Sequence, residues 1–376
     1  MSNKSIVKQP TGIVRQDELR TLLNRFLEEG EDDTLTWDSI TVKDGLPNNW
    51  IYDLFQDSNG NIWVGTWGGG AALRTGTKWK IFTTDSGLES NAVTSFAEGK
   101  DGRVWIATDR GLNFYDGSGI QSGGLVGKSL LDIIFDRRGN LWAGCWRMGF
   151  SGGGLFKFDG LRWEAFTRAS GLPGMEILKV FEDSRGRIWI GTYEGGAGAG
   201  VGCFDGRRWT RFTHQTGLIN DCVYSMFEDP DGNIWFGTVG GVSVFEPAAG
   251  KWHPLTTLDG LIDDRVYCLF IDSRKKMWFG TEGGVSRYDG KSWRSFSRTD
   301  GLVENLVRAI LEDREGSLWL GTYPYEPNKG GISIIRYAGK PETLQEKLQK
   351  YLPANKEPKR LGSPKKKIDK VVRKRV

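Results

Sequence analysis

Asp229-Pro-Asp-Gly-Asn-Ile-Trp-Phe-Gly-Thr238 is the stretch from which the fold can be read. An Asp- and Gly-rich turn leads into a short apolar run centred on Trp235. The anchor, Ile-Trp-aliphatic-Gly-Thr with small variations, also occurs around Trp63, Trp105, Trp142, Trp189, Trp278 and Trp319. Successive anchors lie 42, 37, 47, 46, 43 and 41 residues apart. An apolar segment precedes each turn, as at residues 51–55 and 223–227. A glycine-rich bend and another short segment, such as residues 285–289, follow. Trp-x-x-Phe closes most units (Trp79, Trp163, Trp209, Trp293), and a Gly-Leu pair opens the next one (Gly45, Gly87, Gly124, Gly171, Gly217, Gly260, Gly301). Strands of 4–8 residues bounded by Gly, Asn and Asp are hairpin signals. Four strands in a period of ~40–45 residues is the signature of a propeller blade. Runs such as residues 234–238 are apolar on both faces, as expected of sheets stacked against a neighbour on either side. The fold class is therefore all-β, a seven-bladed β-propeller.

Ring closure supports this reading. The last unit ends near Tyr337 without a Trp-x-x-Phe strand, while an orphan segment, Leu35-Thr-Trp-Asp-Ser-Ile40, precedes the first unit. The orphan is expected to be the outer strand of the last blade over residues 35–41, which also removes open sheet edges.

The pattern Gly-Leu, Glu-Asp-x-x-Gly-x-Ile-Trp-x-Gly-Thr, Gly-Gly-Val, Tyr-Asp-Gly, Trp-x-x-Phe runs almost unbroken from Gly217 to Phe296. It resembles the two-component regulator propeller repeat, and the resemblance covers about residues 35–338. It implies a ligand-sensing propeller of the kind found in periplasmic halves of membrane histidine kinases, whose ligands are often glycans. It carries no catalytic motif, and this chain shows neither kinase nor membrane parts.

Composition narrows the remaining classes. The chain has 376 residues, among them 53 glycines, 16 tryptophans, 4 cysteines and 2 histidines. The glycines have no Gly-X-Y period, which excludes collagen. No apolar run reaches the ~20 residues of a membrane span, and residues 1–11 have no apolar core of a signal peptide. The cysteines lack CxxC spacing. A soluble, cytoplasmic protein without cofactor or metal is expected.

Residues 1–34 read as an amphipathic helical segment, with Leu19, Leu22, Leu23, Phe26 and Leu27 at helical spacing. Residues 35–338 are the propeller. Residues 339–376 read as a short helix (Leu344, Leu348, Leu352) and a basic tail. Over residues 356–376 ten basic residues face two acids, a net charge of +8 against +4 for the whole chain. Basicity is thus a property of the tail. Lys365, Lys366, Lys367, Arg373, Lys374 and Arg375 are candidates for contact with an anionic partner, nucleic acid included.

Thirteen of the sixteen tryptophans have an address in the repeat; Trp50, Trp67 and Trp146 do not. All three fall on the ring face formed by the blade connections and the bends after Trp-x-Gly-Thr. Three of those bends are long, over residues 146–154, 193–200 and 323–329. They add Arg147, Phe150, Tyr193, Glu194, Tyr323 and Tyr325. Aromatic residues and arginine dominate interface hot spots, so these residues form the candidate binding face. A second candidate set, immediately before each inner strand, is Trp50, Ala92, Ser129, Glu176, Cys222, Arg265 and Leu306. Gly149-Phe-Ser-Gly-Gly153 has the letters of a nucleophile elbow without its strand–turn–helix setting. The glycine-rich stretch 196–202 has no following helix to bind phosphate, and the Asp-Gly turns lack the closing Glu of a calcium loop. The sequence therefore favours a non-catalytic binding or scaffold propeller that engages a protein partner or assembly. A soluble glycan or metabolite sensor is the alternative. A propeller lyase or hydrolase is disfavoured by the two separated histidines, His214 and His253.

Overall fold

The computed structural model describes residues 35–146, 153–193, 198–326 and 329–337. The helical segments expected within 1–34 and 339–376, and the basic tail, lie outside these residues.

Seven four-stranded antiparallel sheets form the described chain. Blades 1 to 6 span residues 51–82, 93–124, 129–166, 176–212, 223–255 and 266–296, each with its strands in sequence order. Blade 7 spans residues 307–337 and takes its outer strand from Leu35–Ile40. That strand pairs antiparallel with Ile332–Tyr337, Leu35 opposite Tyr337 and Ile40 opposite Ile332. The inner strand of each blade packs against those of both neighbours, so blade 7 meets blade 1 and the ring closes.

The repeated residues hold each blade in the same way. Asp136 accepts backbone N–H bonds from its own turn with one carboxylate oxygen. With the other it accepts from the Asn140 amide (2.7 Å) and from Trp142 Nε1 (2.9 Å). Equivalent indole bonds join Asp57 to Trp63, Asp183 to Trp189, Asp229 to Trp235, Asp272 to Trp278 and Asp313 to Trp319. The carboxylate pairs an N–H that the tryptophan would otherwise bury unmet. Trp63, Trp189, Trp235 and Trp278 are fully buried, each contributing on the order of 3 kcal/mol by burial alone. Blade 2 has Gly99 where the others have Asp, and Trp105 has no such acceptor among the described residues.

The glycine of Trp-x-Gly-Thr permits close stacking of blades. A Cβ on Gly191 would lie 2.6 Å from the Val223 carbonyl oxygen, and one on Gly321 would lie 2.6 Å from Ile51 Cγ2. The Gly-Leu glycine has a different task. Gly217 has φ of 120° and packs on the closing tryptophan of the next blade, Trp252, whose Cδ1 lies 2.3 Å from where its Cβ would be. On the turn side, Ser58, Ser184 and Ser273 each donate from N and Oγ to the next blade's glutamate, Glu98, Glu228 and Glu312. Arg314 crosses the closing seam to the Ser58 carbonyl at 2.6 Å.

Asp136→Ala is expected to lower the unfolding free energy by about 2–4 kcal/mol, since two side-chain donors and the turn amides lose their acceptor. Trp105→Phe should cost less than Trp142→Phe, because only Trp142 donates to a carboxylate. Denaturant titration of the three variants checks both expectations.

Candidate functional site

The site grows from one irregularity repeated in every blade. The inner strand slips register with its neighbour between Ile51 and Asp53, Val93 and Ser95, Leu130 and Asp132, and Ile177 and Lys179. The same slip occurs between Val223 and Ser225, Val266 and Cys268, and Val307 and Ala309. Such a bulge leaves one residue unpaired and re-aims its side chain. Those residues are Tyr52, Thr94, Leu131, Leu178, Tyr224, Tyr267 and Arg308, and all seven line one central cavity of about 250 Å³.

Aromatic side chains cluster at this cavity on the side of blades 5, 6, 7 and 1. The Arg308 guanidinium lies 3.8 Å from the centre of the Tyr52 ring, 5.8 Å from Tyr323 and 6.0 Å from Tyr267. Tyr52 stacks on Trp67 (5.5 Å), Trp50 leans on Tyr323 (5.3 Å), and Tyr224 meets Tyr267 (5.0 Å). Main-chain pairing holds the two tryptophans together, since Trp67 N donates to the Trp50 carbonyl at 2.9 Å. At the rim, Glu282 is bound by Arg265 (2.6 Å) and accepts from Tyr325 Oη (3.0 Å) and Tyr267 Oη (3.3 Å). Burial raises the Glu282 carboxyl, but Arg265 and the two phenols outweigh it and hold it below the usual range. Burial, with Glu282 nearby, pushes the Tyr267 phenol up, so it stays a neutral donor.

Deeper in the channel, side chains pin blade to blade. Asp53 accepts from Leu54 N (2.9 Å) and across the interface from Phe96 N (3.0 Å). Asp132 accepts from Val180 N (2.7 Å), Ser95 Oγ (3.1 Å) and Lys179 Nζ (2.9 Å). Burial opposes the Lys179 charge, but Asp132 and Asp53 prevail and hold the amine above its ordinary range. Burial, with Asp132 adding to it against the pull of Lys179, raises the Asp53 carboxyl to about 7.

The expected binding residues are thus distributed. Trp50, Trp67 and Tyr323 meet at the channel mouth, and Arg265 and Tyr325 join them through Glu282. Trp146 stacks on Tyr193 (5.1 Å) as a separate pair from blades 3 and 4. The long bends after Thr192 and Thr322 are closed like the short ones, by a threonine Oγ1 donating to the Gly200 or Gly331 carbonyl (2.6 and 2.9 Å). Arg147, Phe150, Glu194 and the tail residues Lys365, Lys366, Lys367, Arg373, Lys374 and Arg375 lie outside the described residues. The set immediately before each inner strand is not a solvent-facing ring, because Ala92, Ser129, Cys222 and Leu306 are buried. The channel-facing address is two residues further on, shifted by the bulge, and it brings in Tyr52, Tyr267 and Arg308. Neither histidine lines the cavity. His214 pairs with Asp221 at 2.5 Å in an exposed connection, and His253 is buried in the outer strand of blade 5.

Seven four-stranded sheets in a ring around an aromatic-mouthed channel define a seven-bladed β-propeller. The chain belongs to the two component regulator propeller family, whose repeat matches residues 45–68, 87–110, 171–194, 217–240, 260–283 and 301–323. No curated protein matches it by sequence. Among solved structures it is similar to the extracellular domain of a hybrid two component system from B. thetaiotaomicron, with 20% identity and a TM-score of 0.68, covering 82% of this chain and 42% of that one. It is also similar to PorZ, a surface component of the type-IX secretion system of Porphyromonas gingivalis, with 19% identity and a TM-score of 0.61, covering 77% and 47%. Virginiamycin B lyase from Staphylococcus aureus shares 14% identity with a TM-score of 0.57, covering 81% and 99%. At these identities the likeness is one of fold. The chain spans less than half the length of the sensor and secretion proteins it matches.

Asp53 gives a pH test. Its folded pKa lies above the ordinary 3.8, so the folded state holds the proton more tightly than the unfolded chain. The stability this confers is present in acid and is lost as pH rises through about 7. The thermal midpoint should fall from about pH 4 to about pH 7 and level off above, and Asp53→Asn should flatten that fall.

Proposed function

We propose that this chain is a non-catalytic binding propeller that engages a protein partner or assembly through the aromatic mouth of its channel. The observation that carries this reading is the half-exposed cluster of Trp50, Trp67, Tyr52 and Tyr323 around Arg308. Framework repetition does not require these aromatics, since Trp50 and Trp67 have no counterpart in blades 5 and 6. Aromatic and arginine side chains that present apolar area beside fixed polar groups are the usual anchors of an interface. Trp146 and Tyr193 extend the same role on blades 3 and 4, and the tail residues 356–376 add a contact for an anionic partner. The absence of a histidine from the mouth disfavours the acid–base chemistry of a lyase.

The family favours a second reading, in which the same mouth senses a small ligand such as a glycan or metabolite. The two readings separate by mass action, because a ligand selective for the folded state raises apparent stability by RT ln(1 + [L]/Kd).

Affinity capture from native extract tests the leading reading. The triple change Trp50→Ala, Trp67→Ala and Trp146→Ala is expected to lose at least tenfold in captured partner while the protein still unfolds cooperatively. Undiminished capture sinks the assignment to this face. A ligand-dependent rise in melting temperature with no captured protein moves the function to sensing.

A further inference from the structure

We infer that Arg308 is a receptor for a carboxylate, and that the channel mouth takes a narrow group ending in that anion, of the kind a polypeptide C-terminus presents. This rests on the binding reading above and gives its ligand a chemistry.

Arg308 is the cation left over once the local charges are paired. Glu282 is occupied by Arg265, Tyr325 and Tyr267. Asp132 is occupied by Lys179, Ser95 and the Val180 amide. Asp53 accepts two backbone amides. Among the described residues no hydrogen bond or ion pair reaches the Arg308 guanidinium, although it is half-buried. Its face is covered by Tyr52 at 3.8 Å. Stacking of this kind orients the plane and leaves the edge, with its fork of N–H donors, facing outward. That fork matches the two oxygens of a carboxylate.

Size and charge select the ligand further. The cavity of about 250 Å³ is smaller than the ~300–1,000 Å³ that holds a drug-sized molecule. A terminal group is of the size that fits it. With Lys179 neutralised by Asp132 and Asp53 on the same lining gaining charge as it ionises at about 7, the mouth offers at most one net positive charge, which suits a monoanion better than a phosphate. Ser225 provides an independent sign of an absent partner. Ser225 belongs to the lining of the same cavity, and its buried hydroxyl has no hydrogen-bond partner among the described residues.

The experiment uses the full-length chain and four probes: a pool of tetrapeptides with free C-termini, the same pool amidated, phenylacetate, and inorganic phosphate. Binding is read by equilibrium dialysis and by quenching of tryptophan fluorescence. The free-acid pool should bind at least tenfold tighter than the amidated pool. Arg308→Gln should abolish that preference, Arg308→Lys should keep part of it, and Tyr52→Leu should weaken it. Melting curves of each variant report folding. Phenylacetate binding without peptide binding supports the receptor and assigns its source to a free acid. Equal binding of acid and amide pools overturns the carboxylate assignment, as does tighter binding of phosphate or no binding of any probe at millimolar concentration. The broader reading fails separately, when the tryptophan triple variant still captures partner while Arg308→Gln is silent.

Discussion

The bond from a turn aspartate to the indole of the following strand is the interaction on which the ring depends. An indole is the largest apolar body available to a strand, but it carries one N–H that a dry interface cannot leave unmet. The hairpin turn supplies the acceptor six residues earlier, on a carboxylate already fixed by its own turn amides. A single aspartate thus shapes the turn, orients the tryptophan and fixes how far each sheet reaches toward its neighbour. Blade 2 shows what remains without it. Gly99 replaces the aspartate, Ala107 replaces the stacking glycine, and Ile120 stands where other blades have their closing tryptophan. This blade holds its place through Thr94 and Ser95, whose hydroxyls bridge to blade 3.

Tight stacking and the free side chain at the channel have a common origin. Seven inner strands converge on one axis, and each relieves the crowding with a bulge. The residue after the bulge turns along the interface and pins the next blade, as Asp53 and Asp132 do. The bulged residue is released toward the channel, where, Thr94 apart, no bond to the next blade fixes its identity. The result is a wall with seven separately variable positions. In this chain four of them are Tyr52, Tyr224, Tyr267 and Arg308, contiguous around one side.

The fold was legible because its determinants are local and repeated. The anchor run, the turn aspartate and the Gly-Leu pair recur in order, and the unclaimed segment Leu35–Ile40 with Trp37 matched the one missing strand. Trp50 and Trp67 were legible for the opposite reason, as tryptophans the repeat does not explain. Arg308 and Tyr52 were not. The set immediately before each inner strand falls two residues short of the channel wall, and only the backbone shows the slip that carries these two side chains inward. Lys179 and Asp132 lie on different blades, and Arg265 meets Glu282 across a hairpin. No short-range pattern announces either pair.

The closing strand imposes an order on the making of the molecule. Thr36 bonds to Arg336 across 300 residues of chain, so the first strand to be synthesised is the last to find its place. Six blades have all their strands in hand as they emerge, whereas the seventh joins the ring's first strand to its last, Ile332–Tyr337. Until then both flanks of the nascent arc are bare, with unsatisfied amides and the apolar faces that the seam will cover. Contacts of such span are formed slowly, and chains held with open strand edges are prone to pair with one another. The latch that makes the finished ring edge-free therefore sets its most vulnerable interval, and the half-made arc is the species most in need of protection in the cell.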